Sequence, residues 1–179
     1  GLRFMLKNKL LYLLSLVFLG ACSSGGDDGP ASCAAGDAPY IGCWITAGCQ
    51  SMDNPVNNIP VWGNIRYEFA SNGKINNLVK VYTNSSCMGA PQFQEAQFLD
   101  LNFVDQGAEQ LPSTIIANRL TVQDVDVGAP SESEVLVHVT SDNRLCLSNN
   151  LILDIDGYTF YFNENATDID FNNCLESAS

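Results

Sequence analysis

Apolar and polar residues alternate with a period of two along most of the chain beyond residue 40. Ile65, Tyr67 and Phe69 fall on one side of such a segment while Arg66 and Glu68 fall on the other. This pattern is typical of a strand with one buried face. The strands predicted in this way are Ile41–Thr46, Ile65–Phe69, Leu78–Thr83, Phe93–Val104, Arg119–Val127, Glu134–Thr140, Arg144–Ser148, Leu151–Ile155 and Tyr158–Asn163.

Short polar turns connect these strands, and no segment has the spacing of an amphipathic helix. Asn72-Gly73 and Asp156-Gly157 predict two-residue hairpin turns, because their residues tolerate positive φ. Glu95 and Gln97 interrupt the apolar face of their strand, which predicts a bulge or a frayed edge there. The chain is therefore predicted to be all-β, an antiparallel meander of eight or nine strands that closes into a barrel or folds into a β-sandwich.

The first 22 residues have the pattern of a bacterial export signal. Lys7 and Lys9 follow Met5, which we expect to be the initiator, and Leu10–Leu19 is mostly apolar. This run is shorter than the roughly 20 residues that span a bilayer, but it suits a signal peptide. The segment Leu19-Gly20-Ala21-Cys22 resembles the lipobox of bacterial lipoproteins. That resemblance implies cleavage before Cys22 and lipid attachment to it, so that the protein is anchored in the cell envelope.

Three segments are predicted from these features. Residues 1–21 form the signal peptide, residues 22–32 the lipidated cysteine and a Gly- and Ser-rich flexible tether, and residues 33–179 a single all-β domain. Ser23 after the lipidated cysteine favours the outer membrane in enterobacterial-type lipoproteins. The side of that membrane on which the domain lies stays open.

Six cysteines remain once Cys22 is assigned to the lipid, and an even number in an exported chain indicates disulfides. Six cysteines allow fifteen pairings, among which the sequence alone does not choose. The preferred set of pairs is Cys33–Cys43, Cys49–Cys87 and Cys146–Cys174. The second pair would join the end of the first strand to the end of the third, and the last pair would join the carboxyl terminus to a late strand. A zinc site is the alternative, but the chain has no Cys-x-x-Cys pair.

The first strand carries Gly42-Cys43-Trp44, a Gly-x-Trp motif. With the meander that follows, this motif resembles lipocalins and the lipocalin-like domains of bacterial lipoproteins. The resemblance implies a barrel of about eight strands in which Trp44 packs across the closed end, and a cup that binds a small apolar molecule. Gly42 is expected to let the backbone and the Trp44 ring approach closely. The chain lacks the Thr-Asp-Tyr motif of the later lipocalin strands and a carboxyl-terminal helix.

The net charge of the chain limits the kinds of molecule that it is expected to bind. The residues after Cys22 include five basic and 20 acidic side chains, a net charge of −15. Such a surface repels phosphate backbones, so nucleic acid is not an expected partner. Membrane contact is expected through the lipid anchor alone.

No catalytic, metal or cofactor site is predicted. The only histidine, His138, lies within a strand, and no Gly-x-Ser-x-Gly motif presents a nucleophile. The pairs Asp124/Asp126, Asp154/Asp156 and Asp168/Asp170 are read as the solvent faces of strands, with calcium binding or catalytic carboxylates as alternatives.

Three hypotheses on function remain. The first is a non-enzymatic, lipid-anchored lipocalin-like barrel that binds a small apolar ligand. The second is a surface-displayed β-sandwich for interaction or adhesion, with Trp62 in a loop beside Pro60 as an exposed contact residue. The third, a hydrolase, needs a nucleophile near His138.

Lipidation can be tested directly. We expect Cys22→Ser to leave an uncleaved or soluble precursor, because lipid attachment precedes cleavage in this export route. Metabolic labelling with a fatty acid measures this. Normal labelling of the variant would show that the lipid is attached elsewhere.

Overall fold

The computed structural model describes residues 33–52, 60–125, 131–162 and 165–178. The predicted signal peptide, Cys22 and the tether lie outside these residues. The described chain folds into strands and their connections. The strands are β1 (Gly42–Thr46), β2 (Gln50–Met52), β3 (Val61–Phe69), β4 (Lys74–Tyr82), β5 (Phe93–Ala96), β6 (Leu101–Gln110), β7 (Ile116–Asp124), β8 (Ser131–Val139), β9 (Arg144–Ser148), β10 (Leu151–Asp154), β11 (Thr159–Phe162) and β12 (Ile169–Ser177).

The strands form a closed, antiparallel, up-and-down barrel. Going around it, β1, β3, β4, β6, β7, β8, β9 and β12 each pair with the next, and β12 pairs with β1. The short strands β2 and β5 extend the wall by pairing with β3 and β4. This architecture confirms the prediction of an all-β, lipocalin-like barrel of about eight strands and excludes the alternative of a β-sandwich.

Alternate residues of each strand point into the barrel and form its core. The Trp44 side chain of β1 lies inside and pairs across the strands with Tyr67 of β3. The interior side chains that are almost completely buried are Ile65, Tyr67, Val79, Leu120, Val137, Leu145, Leu147 and Leu175. The period-two pattern therefore identified the buried face.

The strand predicted at Phe93–Val104 breaks into β5 and β6, as its interrupted apolar face indicated. The break is held by Asn77, whose side chain is fully buried. The Asn77 amide donates to the Leu99 carbonyl at 2.7 Å and accepts from the Leu99 N–H at 3.1 Å. Gln97, at φ +53°, accepts from the Asn77 N–H. Because these buried polar groups are hydrogen-bonded, the irregular segment stays attached to β4.

The turns differ in detail from the prediction. The hairpin at Asn72-Gly73 forms, but of these two residues only Gly73 takes positive φ, at +82°. In this loop the Ala70 N–H donates to the Lys74 carbonyl and the Gly73 N–H donates to the Ala70 carbonyl. Asp156-Gly157 is not a two-residue turn, because Asp154 pairs with Thr159. Asp154 Oδ1 accepts from the N–H groups of both residues instead, which gives a loop of four residues.

Two strands and the position of one tryptophan were not predicted. Neither β2 nor β12 was identified, and β3 begins earlier than expected, at Val61. Trp62 is therefore a strand residue rather than a loop residue. It lies on the outer face, half-buried, and pairs with Tyr82 of β4.

A second, smaller apolar cluster lies on the outside of the barrel wall. It is formed by Leu111, Ala117, Leu136, Cys146, Ala166 and Ile169. The Ser113 hydroxyl donates to Asp168 at 2.7 Å, which joins the β6–β7 turn to the segment before β12. This cluster explains why part of the outer face is apolar.

The structure contains the disulfides Cys33–Cys43, Cys49–Cys87 and Cys146–Cys174, the same pairs as the preferred set. The first attaches the start of the described chain to β1. The second joins the β1–β2 connection to the loop after β4. The third links directly paired residues of β9 and β12. All three therefore stabilise the barrel wall.

Replacing each of the two tryptophans by alanine tests which of them belongs to the core and which to the surface. We expect Trp44→Ala to lower the free energy of unfolding by about 3–5 kcal/mol, because its ring fills the core. Trp62→Ala should lower it by only about 1 kcal/mol, because the ring is half-exposed on the outer face. Chemical denaturation of both variants measures the difference. Equal losses would contradict the assignment of Trp44 to the core.

Candidate functional site

One end of the barrel, where β1 begins, is closed by aromatic side chains. The Trp44 indole Nε1–H donates to the Tyr40 carbonyl at 2.8 Å. The Tyr40 ring packs edge-on against Phe69 and Phe103, with ring centroids 6.2 and 6.0 Å apart. Trp44 thus lies at a closed end, where the resemblance to lipocalins implied it.

Gly42 has a different role from the one expected. A Cβ added to Gly42 would meet no atom within 4 Å, so close approach to the Trp44 ring does not explain it. Its φ is +148°, a conformation that residues with a Cβ rarely adopt. Glycine is therefore needed for the backbone conformation at the start of β1.

A hydrogen bond attaches Tyr40 to the wall. Its hydroxyl donates to Asp105 at 2.7 Å, and Asp105 also accepts from the Gly107 N–H and the Asn118 amide. Burial acts to raise the pKa of Asp105, but these hydrogen bonds outweigh it and hold the pKa below the ordinary value. The pKa of Tyr40 is raised, mainly because the hydroxyl is buried and also because it donates a hydrogen bond to Asp105. Asp105 therefore stays ionised to lower pH than an ordinary aspartate, and the Tyr40 hydroxyl donates to this carboxylate.

The opposite end, the mouth of the barrel, is covered by the β10–β11 hairpin. This hairpin is a separate two-stranded sheet between β9 and β12. Leu151, Leu153, Ile155, Tyr158 and Phe162 of the hairpin and its loop pack against the barrel core. These five side chains form the inner face of the cover.

The hairpin loop reaches the far side of the mouth. There the Tyr158 ring contacts Phe98, which lies between β5 and β6, with centroids 6.0 Å apart. Burial raises the pKa of Tyr158, and the negative charges of Asp156 and Glu95 add to the effect. The hairpin therefore spans the mouth from its root at β9 and β12 to the β5–β6 connection.

A small apolar cavity of about 20 Å³ lies beneath the hairpin. This volume holds about one water molecule, whereas ligand pockets have about 300–1,000 Å³. Its lining is entirely apolar, and consists of Phe69, Ile75, Leu101, Leu120, Val122, Val135, Leu147, Leu151 and Phe162. Leu151 and Phe162 belong to the hairpin, so the cavity volume depends on where the hairpin lies.

A polar cleft of about 470 Å³ opens beside the hairpin root. It is lined by Thr121, Glu132, Ser133, Glu134, Asn150, Phe162 and Asn165. Glu134 accepts from Arg119 at 2.8 Å, and Arg119 also pairs with Glu109. Asn150 is buried and donates to the Glu134 carbonyl, which fixes the rim of the cleft.

The other chemical candidates lie apart from the mouth or serve in turns. His138 Nδ1 is 2.8 Å from the Ile116 carbonyl, and the ring contacts Phe171 on the outer face. Asp168 accepts from the Ser113 hydroxyl and the Ile169 N–H, Asp170 accepts from the Asn172 N–H, and Asp126 lies outside the described residues. Among those that are described, no three His, Cys, Asp or Glu side chains are grouped to hold a metal ion.

Comparison with known proteins gave no match. No protein-family model, no curated protein and no solved structure matches this chain. Over the part of the chain with described coordinates, no helix is long and apolar enough to cross a bilayer. Function is therefore inferred from the geometry of the barrel.

The hairpin was the main omission of the sequence analysis. Its two strands were predicted, but as wall strands of the meander. The signal was weak, because Leu151-Ile152-Leu153 is apolar at successive positions rather than alternating. Such a run does not indicate which face packs against the core.

Asp105 gives the closed end a pH dependence. Its pKa is lower in the folded than in the unfolded state, so its stabilisation is complete above about pH 4, its unfolded pKa, and is lost as pH falls through the folded pKa. We expect Asp105→Asn to be less stable than the parent near neutral pH and closer to it in acid. Denaturant unfolding across acidic pH measures this.

Tyr40→Phe provides the matched control, since it removes only the hydroxyl. It should weaken the same pH dependence without abolishing it, because Gly107 and Asn118 still donate to Asp105. An unchanged difference between parent and Asp105→Asn at every pH would contradict the role of this carboxylate.

Proposed function

We propose that this protein is a non-enzymatic, lipid-anchored binding protein of the bacterial cell envelope, whose barrel holds a small apolar ligand beneath the β10–β11 hairpin. The lipobox-like segment ending at Cys22 supports the anchor. The three disulfides support an oxidising compartment.

The observation that carries the ligand proposal is the construction of the mouth. The described residues that line the cavity beneath the hairpin are all apolar, and two of them, Leu151 and Phe162, come from a hairpin outside the barrel sheet. In its closed position the hairpin leaves about 20 Å³, too little for a ligand. An apolar molecule therefore takes the place of hairpin side chains when the hairpin moves outward.

The hairpin can move without breaking the wall. Its two four-residue strands pair only with each other, and an isolated two-stranded hairpin is marginally stable. Apolar packing and the Tyr158–Phe98 contact hold its loop end in place. Displacing it leaves the hydrogen-bonded closure between β12 and β1 intact.

The start of the described chain and the mouth lie at opposite ends of the barrel. Cys33, where the described chain starts, is bonded to Cys43 in the first strand, beside the closed end. In the proposed arrangement a lipid on Cys22 anchors the chain from the side of the closed end, which leaves the mouth accessible from the aqueous side. The proposed ligand is therefore exchanged with the aqueous side of the envelope.

A surface interaction module is the second candidate. The small size of the closed cavity favours it, because a filled barrel needs no internal ligand. The half-exposed Trp62 ring on the outer face of β3 is then the natural contact residue.

Nile red, an uncharged apolar dye, distinguishes the two candidates. The protein tested is the mature chain with Cys22→Ser, which carries no lipid. We expect the dye to bind, and Tyr158→Ala to bind it about fivefold more tightly, because loss of a ring contact of about 1 kcal/mol frees the hairpin. Fluorescence titration measures the affinity.

Ile152→Ala is the matched control, since Ile152 lies on the same hairpin but is 51% exposed. It should leave the affinity unchanged. If neither the parent nor Tyr158→Ala binds the dye, the ligand proposal fails and the surface interaction module becomes the better account.

A further inference from the structure

The interior cavity and the outer cleft lie on opposite faces of the β7–β8 wall. Phe162 lines both the apolar cavity beneath the hairpin and the polar cleft beside it, and it is the one residue among those described that does so. Its ring is half-buried at the end of β11, where it pairs across the hairpin with Leu151. Displacement of this ring would open a route between the two spaces.

The two spaces have opposite chemistry. Among the described residues, every side chain around the cavity is apolar, whereas the cleft presents two carboxylates, two amides and two hydroxyls. A binding site with one apolar and one polar part matches a molecule that is itself divided in this way. Neither a wholly apolar nor a wholly polar molecule would use both parts.

The rim of the cleft is rigid on its polar side. Asn150 is buried, accepts from the Ser148 hydroxyl and donates to the Glu134 carbonyl. These bonds connect β9 to β8 independently of β11. The polar groups therefore keep their places when Phe162 moves.

The charge of the cleft selects the polar part of the ligand. Glu132 and Glu134 are its charged lining residues, and the neighbouring cation, Arg119, is already paired with Glu134 and Glu109. Carboxylates accept hydrogen bonds and repel anions. A head group that donates hydrogen bonds, an amine or a polyol, fits this lining, and an anionic one does not.

We infer that the ligand is a single-chain amphiphile, whose apolar tail occupies the barrel interior, whose hydrogen-bond-donating head lies in the outer cleft, and for which Phe162 is the gate between the two. The inference rests on the proposed function and specifies its ligand class. It also assigns a binding role to the cleft residues Glu132 and Glu134.

Displacement of Nile red by three amphiphiles with the same tail tests the inference. Dodecylammonium, dodecyl maltoside and dodecyl sulfate are added below their micellar concentrations to the mature Cys22→Ser chain. We expect the first two to displace the dye at concentrations about tenfold lower than the sulfate, because burying an unmatched anion beside carboxylates is unfavourable. Near-ultraviolet circular dichroism checks that the barrel stays folded. The ammonium and maltoside arms distinguish an amine from a polyol head.

Three variants give the residue-level result. Glu132→Gln should reduce the preference for dodecylammonium over the sulfate at least threefold, since it removes one charge and leaves the Glu134–Arg119 pair. Phe162→Ala should tighten binding of the favoured amphiphiles. The matched control, Phe171→Ala, removes a phenylalanine that is 47% exposed on the outer face of β12 and should change nothing.

Equal displacement by all three amphiphiles, or equal effects of Phe162→Ala and Phe171→Ala, would overturn the inference. Dye binding that persists in that case leaves the proposed function standing. Absence of dye binding in the parent and in Tyr158→Ala would instead overturn the proposed function itself. The two failures are therefore distinguishable.

Discussion

Pairing between β12 and β1 closes the sheet, and the positions of the other apolar side chains follow from that closure. Trp44 pairs with Ser177 and Thr46 with Leu175, so the last described strand completes the wall that the first one starts. A closed sheet has no long exposed edge, and it separates an inside from an outside. The inward residues then have to fill a space of fixed width, and Tyr67, Leu120 and Leu145 do so with almost no exposure.

A barrel has two ends, and in this chain the two ends are closed by different interactions. Tyr40 and Trp44 close the first end with rings that are hydrogen-bonded to the wall and the backbone. The mouth is covered by a hairpin that makes no strand pairing with the barrel. At the closed end the rings themselves are hydrogen-bonded, whereas at the mouth the Asn173 amide donates to the Leu151 carbonyl at the root of the hairpin and the inner face and loop of the hairpin are held by apolar packing. The proposed ligand exchange is placed at the mouth for this reason.

Most of the wall could be predicted from the sequence, because one buried face produces alternation wherever the other face meets water. Alternation of apolar and polar residues does not identify a strand when both of its faces are covered or when neither face is strongly apolar. β12 has Asp170, Asn172 and Asn173 on its solvent-facing or irregular positions, and its pairing with β9 is interrupted there. The covering hairpin has the local pattern of a wall strand, and only tertiary contacts such as Tyr158 with Phe98 reveal where it lies. The same holds for the cleft, whose lining comes from β7, β8 and the residues flanking the hairpin.

The disulfides lie in the barrel wall and its loops, and none of them lies in the hairpin that covers the mouth. Cys146 and Cys174 join β9 to β12, the two strands between which the hairpin is inserted. Cys49 and Cys87 join the loops on another part of the same end. The roots of the hairpin and the rim of the mouth are thus covalently fixed, while residues 151–162 contain no cysteine. The proposed outward movement of the hairpin would therefore change the volume of the interior without loosening the strands that carry it.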